Sequence, residues 1–156
     1  MSVHLPPFET LVEAHAAELH RFLIGCVGPT EADDCLQETF MSALRAYPSL
    51  KNANNLRAWL YTIAQRKATD VVRRAARRPT RGLDGIEPAV PATPDPDDGL
   101  WLAVRSLPGK QRAAIVHRFV LDLAYAEIGA RMGISEEAAR QNVSAGLRRL
   151  RTEVMA

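Results

Sequence analysis

At 156 residues the chain has room for one medium domain or two small ones, and its formal net charge of +2 is too small to mark a nucleic-acid binder by itself. It contains no run of about 18 apolar residues, which excludes a membrane-spanning helix. The opening MSVHLPPFET lacks the basic and apolar stretches of a signal peptide, so a reduced, cytoplasmic chain is expected. The charge is unevenly spread. Residues 1–78 hold ten basic and eight acidic side chains, residues 79–99 one and five, and residues 100–156 nine and five. Two basic blocks flanking an acidic bridge suit a large polyanionic or mixed-charge partner.

Taken in order, apolar positions at Phe8, Leu11, Val12, His15, Leu19, Phe22, Leu23 and Cys26 predict a helix, with Pro6 and Pro7 at its start and Gly28-Pro29 as its break. Thr30 is a candidate cap for a second helix, Glu31 to about Ala46, whose first-turn acids suit the helix dipole. Its apolar face is Ala32, Cys35, Leu36, Thr39, Phe40, Ala43 and Leu44; Asp34, Gln37, Glu38, Ser42 and Arg45 face away. Tyr47–Ala53 is a loop.

Asn54 or Asn55 can cap a long third helix that ends before Pro79. One face of it is apolar from Leu56 through Trp59, Ile63 and Ala68 to Ala75, and Trp59 on that stripe is expected in the core. The other face carries Arg57, Gln65, Arg66, Lys67, Arg73, Arg74, Arg77 and Arg78.

Residues 79–99 hold five prolines and three glycines and lose all apolar periodicity, as a solvated tether does. A second helical block follows: a helix from Leu100 capped by Asp97 or Asp98, then Gln111–Val120 with Ala114, Ile115, Arg118 and Phe119 at the core edge. The segment Ala124–Met132, the turn Gly133-Ile134-Ser135 and a last helix Glu136 to about Glu153 complete it. Ile128, Met132, Ile134, Ala139, Val143, Leu147 and Leu150 are its expected packing residues.

No nucleotide-binding loop, HExxH pair or Cys/His ligand set occurs, so no catalytic residue, metal or cofactor is expected. Cys26 and Cys35 read as small buried hydrophobes and the four histidines as ordinary core or surface residues. The strongest local signal is a helix-turn-helix over Tyr125–Arg149. Gly133 can take positive φ, Ile134 fills the angle and Ser135 caps the second helix. Such a helix enters the major groove, where Arg140 and Gln141 can read guanine and adenine edges.

The chain resembles the extracytoplasmic-function (ECF) sigma factors of bacterial RNA polymerase. The resemblance is carried by Asp33-Asp34-Cys35-Leu36-Gln37-Glu38-Thr39-Phe40, by Asn55-Leu56-Arg57-Ala58-Trp59-Leu60-Tyr61-Thr62-Ile63-Ala64 and by Asp70-Val71-Val72-Arg73-Arg74. In the second block Leu107-Pro108, Arg112, Tyr125 to Ile128 and Gly133-Ile134-Ser135 carry it. It implies an all-α protein with a three-helix domain at 6–78, a Pro/Asp-rich linker at 79–99 and a helix-turn-helix domain at 100–153. It implies a polymerase-binding surface at Asp33, Asp34, Gln37 and Glu38, facing the clamp helices of the largest subunit. Asn52, Asn54 and Asn55, with Arg66, Lys67, Arg73 and Arg74, are implied at the melted −10 element, and Ser135, Arg140, Gln141, Ser144 and Arg148 at the −35 element. The implied partners are core RNA polymerase (clamp helices and flap), promoter DNA and an anti-sigma factor, with no membrane and no enzymatic activity.

Asn142, Ala145 and Leu147 depart from the arginine-rich reading helix common in the family, and Gly146 costs that helix about 1 kcal/mol relative to alanine. Two other readings stay open: a sigma-like decoy for an anti-sigma factor, and a stand-alone helix-turn-helix regulator.

Overall fold

A computed structural model describes residues 4–77 and 98–155. Residues 78–97 lie outside them, and with them Arg78, the boundary at Pro79, the candidate cap Asp97 and the predicted tether up to 97. Asp98 and Gly99, assigned to the tether from sequence, open a helix instead. That helix starts two residues before Leu100, and Asp98 is its first residue and not its cap.

Seven α-helices make up the described chain: α1 (Phe8–Val27), α2 (Pro29–Ala46), α3 (Leu56–Arg77), α4 (Asp98–Arg105), α5 (Gly109–Phe119), α6 (Tyr125–Met132) and α7 (Glu136–Met155). The all-α class is as expected, and a 3-10 turn at Tyr47–Ser49 is added inside the predicted loop.

Local chemistry sets the joints. Gly28 takes φ +89°, stops α1 and is the residue from which α2 starts, with Pro29 in its first turn. Thr30 is therefore a helical residue and not the cap. Asn55 Oδ1 accepts from Ala58 N (3.2 Å), so Asn55 and not Asn54 caps α3. Gly133 sits in the left-handed region at φ 69° and ends α6, and Ser135 Oγ accepts from Ala138 N at 3.0 Å to start α7.

The apolar stripes meet as expected, with four exceptions, one of them Ala75, exposed near the end of α3. Leu44 is 56% exposed, Phe119 59% and Leu147 36%. On α7 the inward position next to Leu147 belongs to Gly146, where an added Cβ would lie 2.9 Å from Ile115 Cγ1. The glycine that weakens the helix locally is what lets α5 and α7 approach.

The helices α1–α3 and α4–α7 are not separate bodies side by side. One core runs through both: Phe22 of α1 stacks on His117 of α5 (4.7 Å, 22°), and Tyr61 of α3 meets His117 edge-on (5.0 Å). A Cβ on Gly25 would fall 2.6 Å from Val116 Cγ1, so α1 and α5 touch nearly backbone to side chain. Arg112, fully buried, donates to the Arg105 and Leu107 carbonyls at the end of α4 and to Thr69 Oγ1 of α3 at 2.7 Å. As expected of small hydrophobes, Cys26 and Cys35 are buried and unpaired; burial pushes the Cys26 thiol up to about 12.

His117 makes the fold acid-sensitive. Burial, then the nearby Arg131 charge, hold it down at about 3, well below the ordinary imidazole value, so it is neutral when folded. The unfolded chain binds this proton near pH 6.5 and the folded chain only near 3, so stability is lost as pH falls through that window, by at most about 1.4 kcal/mol per pH unit. Urea titrations between pH 7 and 5 should show the loss, and His117→Phe should flatten it. His15, also lowered by burial first, contributes with the same sign and leaves a smaller residual slope.

Candidate nucleic-acid and polymerase interfaces

The exposed face of α2 carries Asp33, Asp34, Gln37 and Glu38, all open to solvent. The backbone places them there because Ala32, Cys35, Thr39 and Ala43 take the inward positions. Asp33 is the exception to a bare acidic row: its Oδ1 meets His20 Nε2 at 2.8 Å. The face continues past the residues expected from sequence into Met41 and Leu44, 53% and 56% exposed. Their three-residue spacing is visible in the chain, but Leu44 fits the apolar stripe equally well, and only packing puts it outside.

The basic residues of α3 divide between two flanks. Lys67 lines a shallow cleft with Glu38, Met41, Ser42 and Arg45 of α2. Arg66 lines another, of about 310 Å³, with Gln65, Thr69, Asp70, Arg73 and Lys110. Arg73, Arg74 and Arg77 meet Glu38 and Asp70 in a third cleft of about 420 Å³. The acidic α2 face and the basic end of α3 therefore adjoin at Glu38.

At the other end of α3 the asparagine loop is folded on itself. Asn52 Oδ1 accepts from Asn54 N at 3.0 Å, and Asn55 stands at φ 54°, a left-handed position asparagine tolerates. Asn55 Nδ2 also donates to the Ala130 carbonyl of α6 at 2.9 Å. Arg57, in the first turn of α3, donates to Glu127 Oε1 at 2.8 Å. Sequence reasoning names Arg57 only as part of the basic face, because nothing in the linear chain shows that α6 lies against it.

In the helix-turn-helix, Gln141, Ser144, Arg148 and Arg149 are exposed along α7, and Ser135 is spent on the cap. Arg140 is half-exposed but engaged: it donates to Glu137 (3.0 Å) and Glu136 (3.5 Å) and lies over the Tyr125 ring at 5.0 Å, with Arg118 on the same ring at 4.7 Å. The two glutamates thus hold Arg140 in place across the first turn of the reading helix.

Among the described residues no metal-ligand cluster occurs and no helix is long and apolar enough to cross a membrane. A family model for sigma-70 region 2 matches residues 11–78, and one for sigma-70 region 4 matches residues 98–150. RNA polymerase sigma factor CarQ of Myxococcus xanthus is 34% identical over 152 residues, spanning 92% of this chain and 87% of that one. ECF RNA polymerase sigma factor SigF of Caulobacter vibrioides is 34% identical over 125 residues, 78% of this chain and 70% of its own. The chain belongs to the ECF sigma factors. These are the subunits that take bacterial core RNA polymerase to promoters, and they have no catalytic role of their own. SigE of Mycolicibacterium smegmatis is 30% identical over 158 residues, 94% of this chain; the match spans 61% of that longer protein. In solved structures the fold matches the sigma factor RpoE, bound to the anti-sigma factor NepR, from Bartonella quintana (TM-score 0.62, 24% identity, 97% of this chain and 99% of that one). It also matches CnrH in complex with the cytosolic domain of CnrY (TM-score 0.61, 22% identity, 93% and 85%).

Asn55 combines a cap with a left-handed backbone, and the two demands separate by substitution. Asn55→Ala loses the cap and strains the backbone, whereas Asn55→Gly loses only the side chain. Alanine should cost about 1–2 kcal/mol in urea unfolding and glycine clearly less.

Proposed function

We propose that this sigma factor docks on core RNA polymerase through the exposed α2 face and directs promoter-specific transcription initiation in the cytoplasm, as a non-catalytic subunit. In this reading residues 6–78 bind polymerase and open the −10 element, residues 79–99 link, and residues 100–153 recognise the −35 element. The observation that carries it is the occurrence of both sigma-70 regions in one chain, in that order, at 11–78 and 98–150.

The geometry supports the division of labour. Asp34, Gln37 and Glu38 with Met41 and Leu44 form an acidic rim beside an apolar pair, the composition of a docking surface for a basic helix pair. The clamp helices of the largest subunit would meet it, and the flap would meet the C-terminal half. Asn54 and the free Nδ2 of Asn52 offer amide groups to unpaired bases, and Asn55 joins them once its bonds to Ala58 and Ala130 are exchanged, while Arg66, Lys67, Arg73 and Arg74 offer phosphate contacts. Exposed Gln141, Ser144 and Arg148 face the upstream element together with Arg140. An anti-sigma factor is a further proposed partner, since the chain shares its fold with the sigma factor RpoE, solved in complex with the anti-sigma factor NepR.

Transcription in vitro with core polymerase and a genomic promoter library should yield discrete starts preceded by two shared elements. A decoy or a stand-alone regulator would yield none. Asp34→Lys with Glu38→Lys should abolish capture by core polymerase while circular dichroism stays unchanged, because both acids point to solvent.

Arg73→Ala with Arg74→Ala should weaken holoenzyme binding to all promoters alike and flatten its salt dependence, by about 0.9 in slope for each phosphate no longer neutralised. Arg140→Ala should instead relax base preference at one or two upstream positions, by about 1–3 kcal/mol. Binding to promoter variants across a salt series separates the two behaviours.

A further inference from the structure

The first turns of α7 hold an arginine that is exposed and yet fully engaged. Both terminal nitrogens of Arg140 are in use: Nη1 donates to Glu137 Oε2 at 3.0 Å and Nη2 to Glu136 Oε1 at 3.5 Å. Its guanidinium lies 5.0 Å over the Tyr125 ring, and the guanidinium of Arg118 lies 4.7 Å from the same ring. Arg118 is tied to the backbone, because it donates to the Leu123 carbonyl at 2.9 Å. Arg140 is thus bounded by an aromatic ring and two carboxylates, beside a second, anchored cation.

The fold does not require this arrangement. Ser135 caps α7 through Ala138 N, and the side chains of Glu136 and Glu137 stand 56% and 65% exposed. Acids in a first turn suit the helix dipole, but the dipole does not call for an arginine one turn further on. What the glutamates do set is the terms on which DNA can take Arg140. Phosphate and guanine both offer acceptors to a guanidinium, and phosphates outnumber any one base edge along a duplex. A phosphate brings a full negative charge beside two carboxylates that have just lost their partner. The O6 and N7 atoms of guanine accept a bidentate pair from the same fork and bring no net charge. The carboxylates therefore penalise the first exchange and not the second.

We propose that Glu136 and Glu137 are positioning residues that make Arg140 specific: they bar it from the phosphate backbone and release it to the bidentate edge of a guanine. Tyr125 serves the same end, holding the guanidinium over its ring while the hydrogen bonds are exchanged. The inference rests on the proposed role of α7 at the upstream promoter element.

The test is a double-mutant cycle on the holoenzyme, assembled from core RNA polymerase and the full chain. The unaltered chain is compared with Glu136→Gln plus Glu137→Gln, with Arg140→Ala, and with all three changes together. Each is bound, across a salt series, to promoters carrying every base at each upstream position and to DNA without a promoter. In the unaltered chain one upstream position should prefer guanine. The two glutamines should cut that preference by about five- to tenfold. They should also raise affinity for promoter-free DNA and steepen its salt dependence by about 0.9, as one more phosphate is neutralised. In the Arg140→Ala background the same glutamines should leave base preference and slope as they are. Neither readout follows from helix stability, which circular dichroism checks in each variant.

An equal rise in affinity for every DNA in both backgrounds would overturn the proposal, since the glutamates would then repel DNA on their own account. Promoter binding with no guanine preference that depends on Arg140 would overturn it too, while leaving the proposed function intact. No promoter-specific binding by the unaltered holoenzyme would remove the proposed function, and this inference with it.

Discussion

Arg131 is the interaction on which the arrangement of the two halves depends. Its guanidinium is buried between α6, α1 and α3, donating to Glu127, Glu18 and the Tyr61 hydroxyl and lying 5.6 Å over the Tyr61 ring. Burial alone would disfavour its charge. The Glu127 hydrogen bond, the Tyr61 oxygen and Glu18 outweigh that and hold its pKa above the ordinary arginine value. A lysine could not replace it, because one ammonium cannot serve three partners set at the angles of a planar fork. Tyr61 is fixed by the same group: burial raises its hydroxyl to about 12, against the pull of Arg131, so it stays protonated.

Around that arginine the two regions divide the work of a core. α1 supplies Phe22 and Gly25, α3 supplies Tyr61 and Thr69, and α5 answers with His117, Val116 and Arg112. The contact is mixed: stacked rings and close backbone approach in the middle, ion pairs at one edge. Apolar burial supplies most of the attraction, and the charges fix which surfaces meet. Among the described residues neither imidazole nitrogen of His117 has a hydrogen-bond partner, a cost carried by the surrounding packing.

Much of this is legible in the chain alone. Helix positions follow from apolar spacing, and the turn at Gly133 and Ser135 follows from the conformations those residues favour. The errors share one cause. Periodicity shows that a helix has an apolar side but not what stands opposite, so it turns Leu44, Phe119 and Leu147 inward where, among the described residues, they stand exposed. Gly146 reads as a defect because the cost to its own helix is local and the gain, contact with Ile115, comes from another helix. The residues joining the halves pair across long stretches of chain, Arg57 with Glu127 at a separation of 70 and Glu18 with Arg131 at 113, and carry no pattern in common. Of the candidate site, the α2 acids and the exposed α7 side chains are readable, since exposure follows from helix phase. The engagement of Arg140 by Glu136 and Glu137 requires side-chain geometry.

The corner at Gly28 gives the first two helices a mechanical property. A single residue joins α1 to α2, and its positive φ and the Arg105 guanidinium, 2.7 Å from where a Cβ would stand, leave no slack to absorb a displacement. The pair behaves as a bent lever. No loop lies between α1 and α2 to take up a displacement, so a partner that shifted α2 would shift α1, and Glu18 with it.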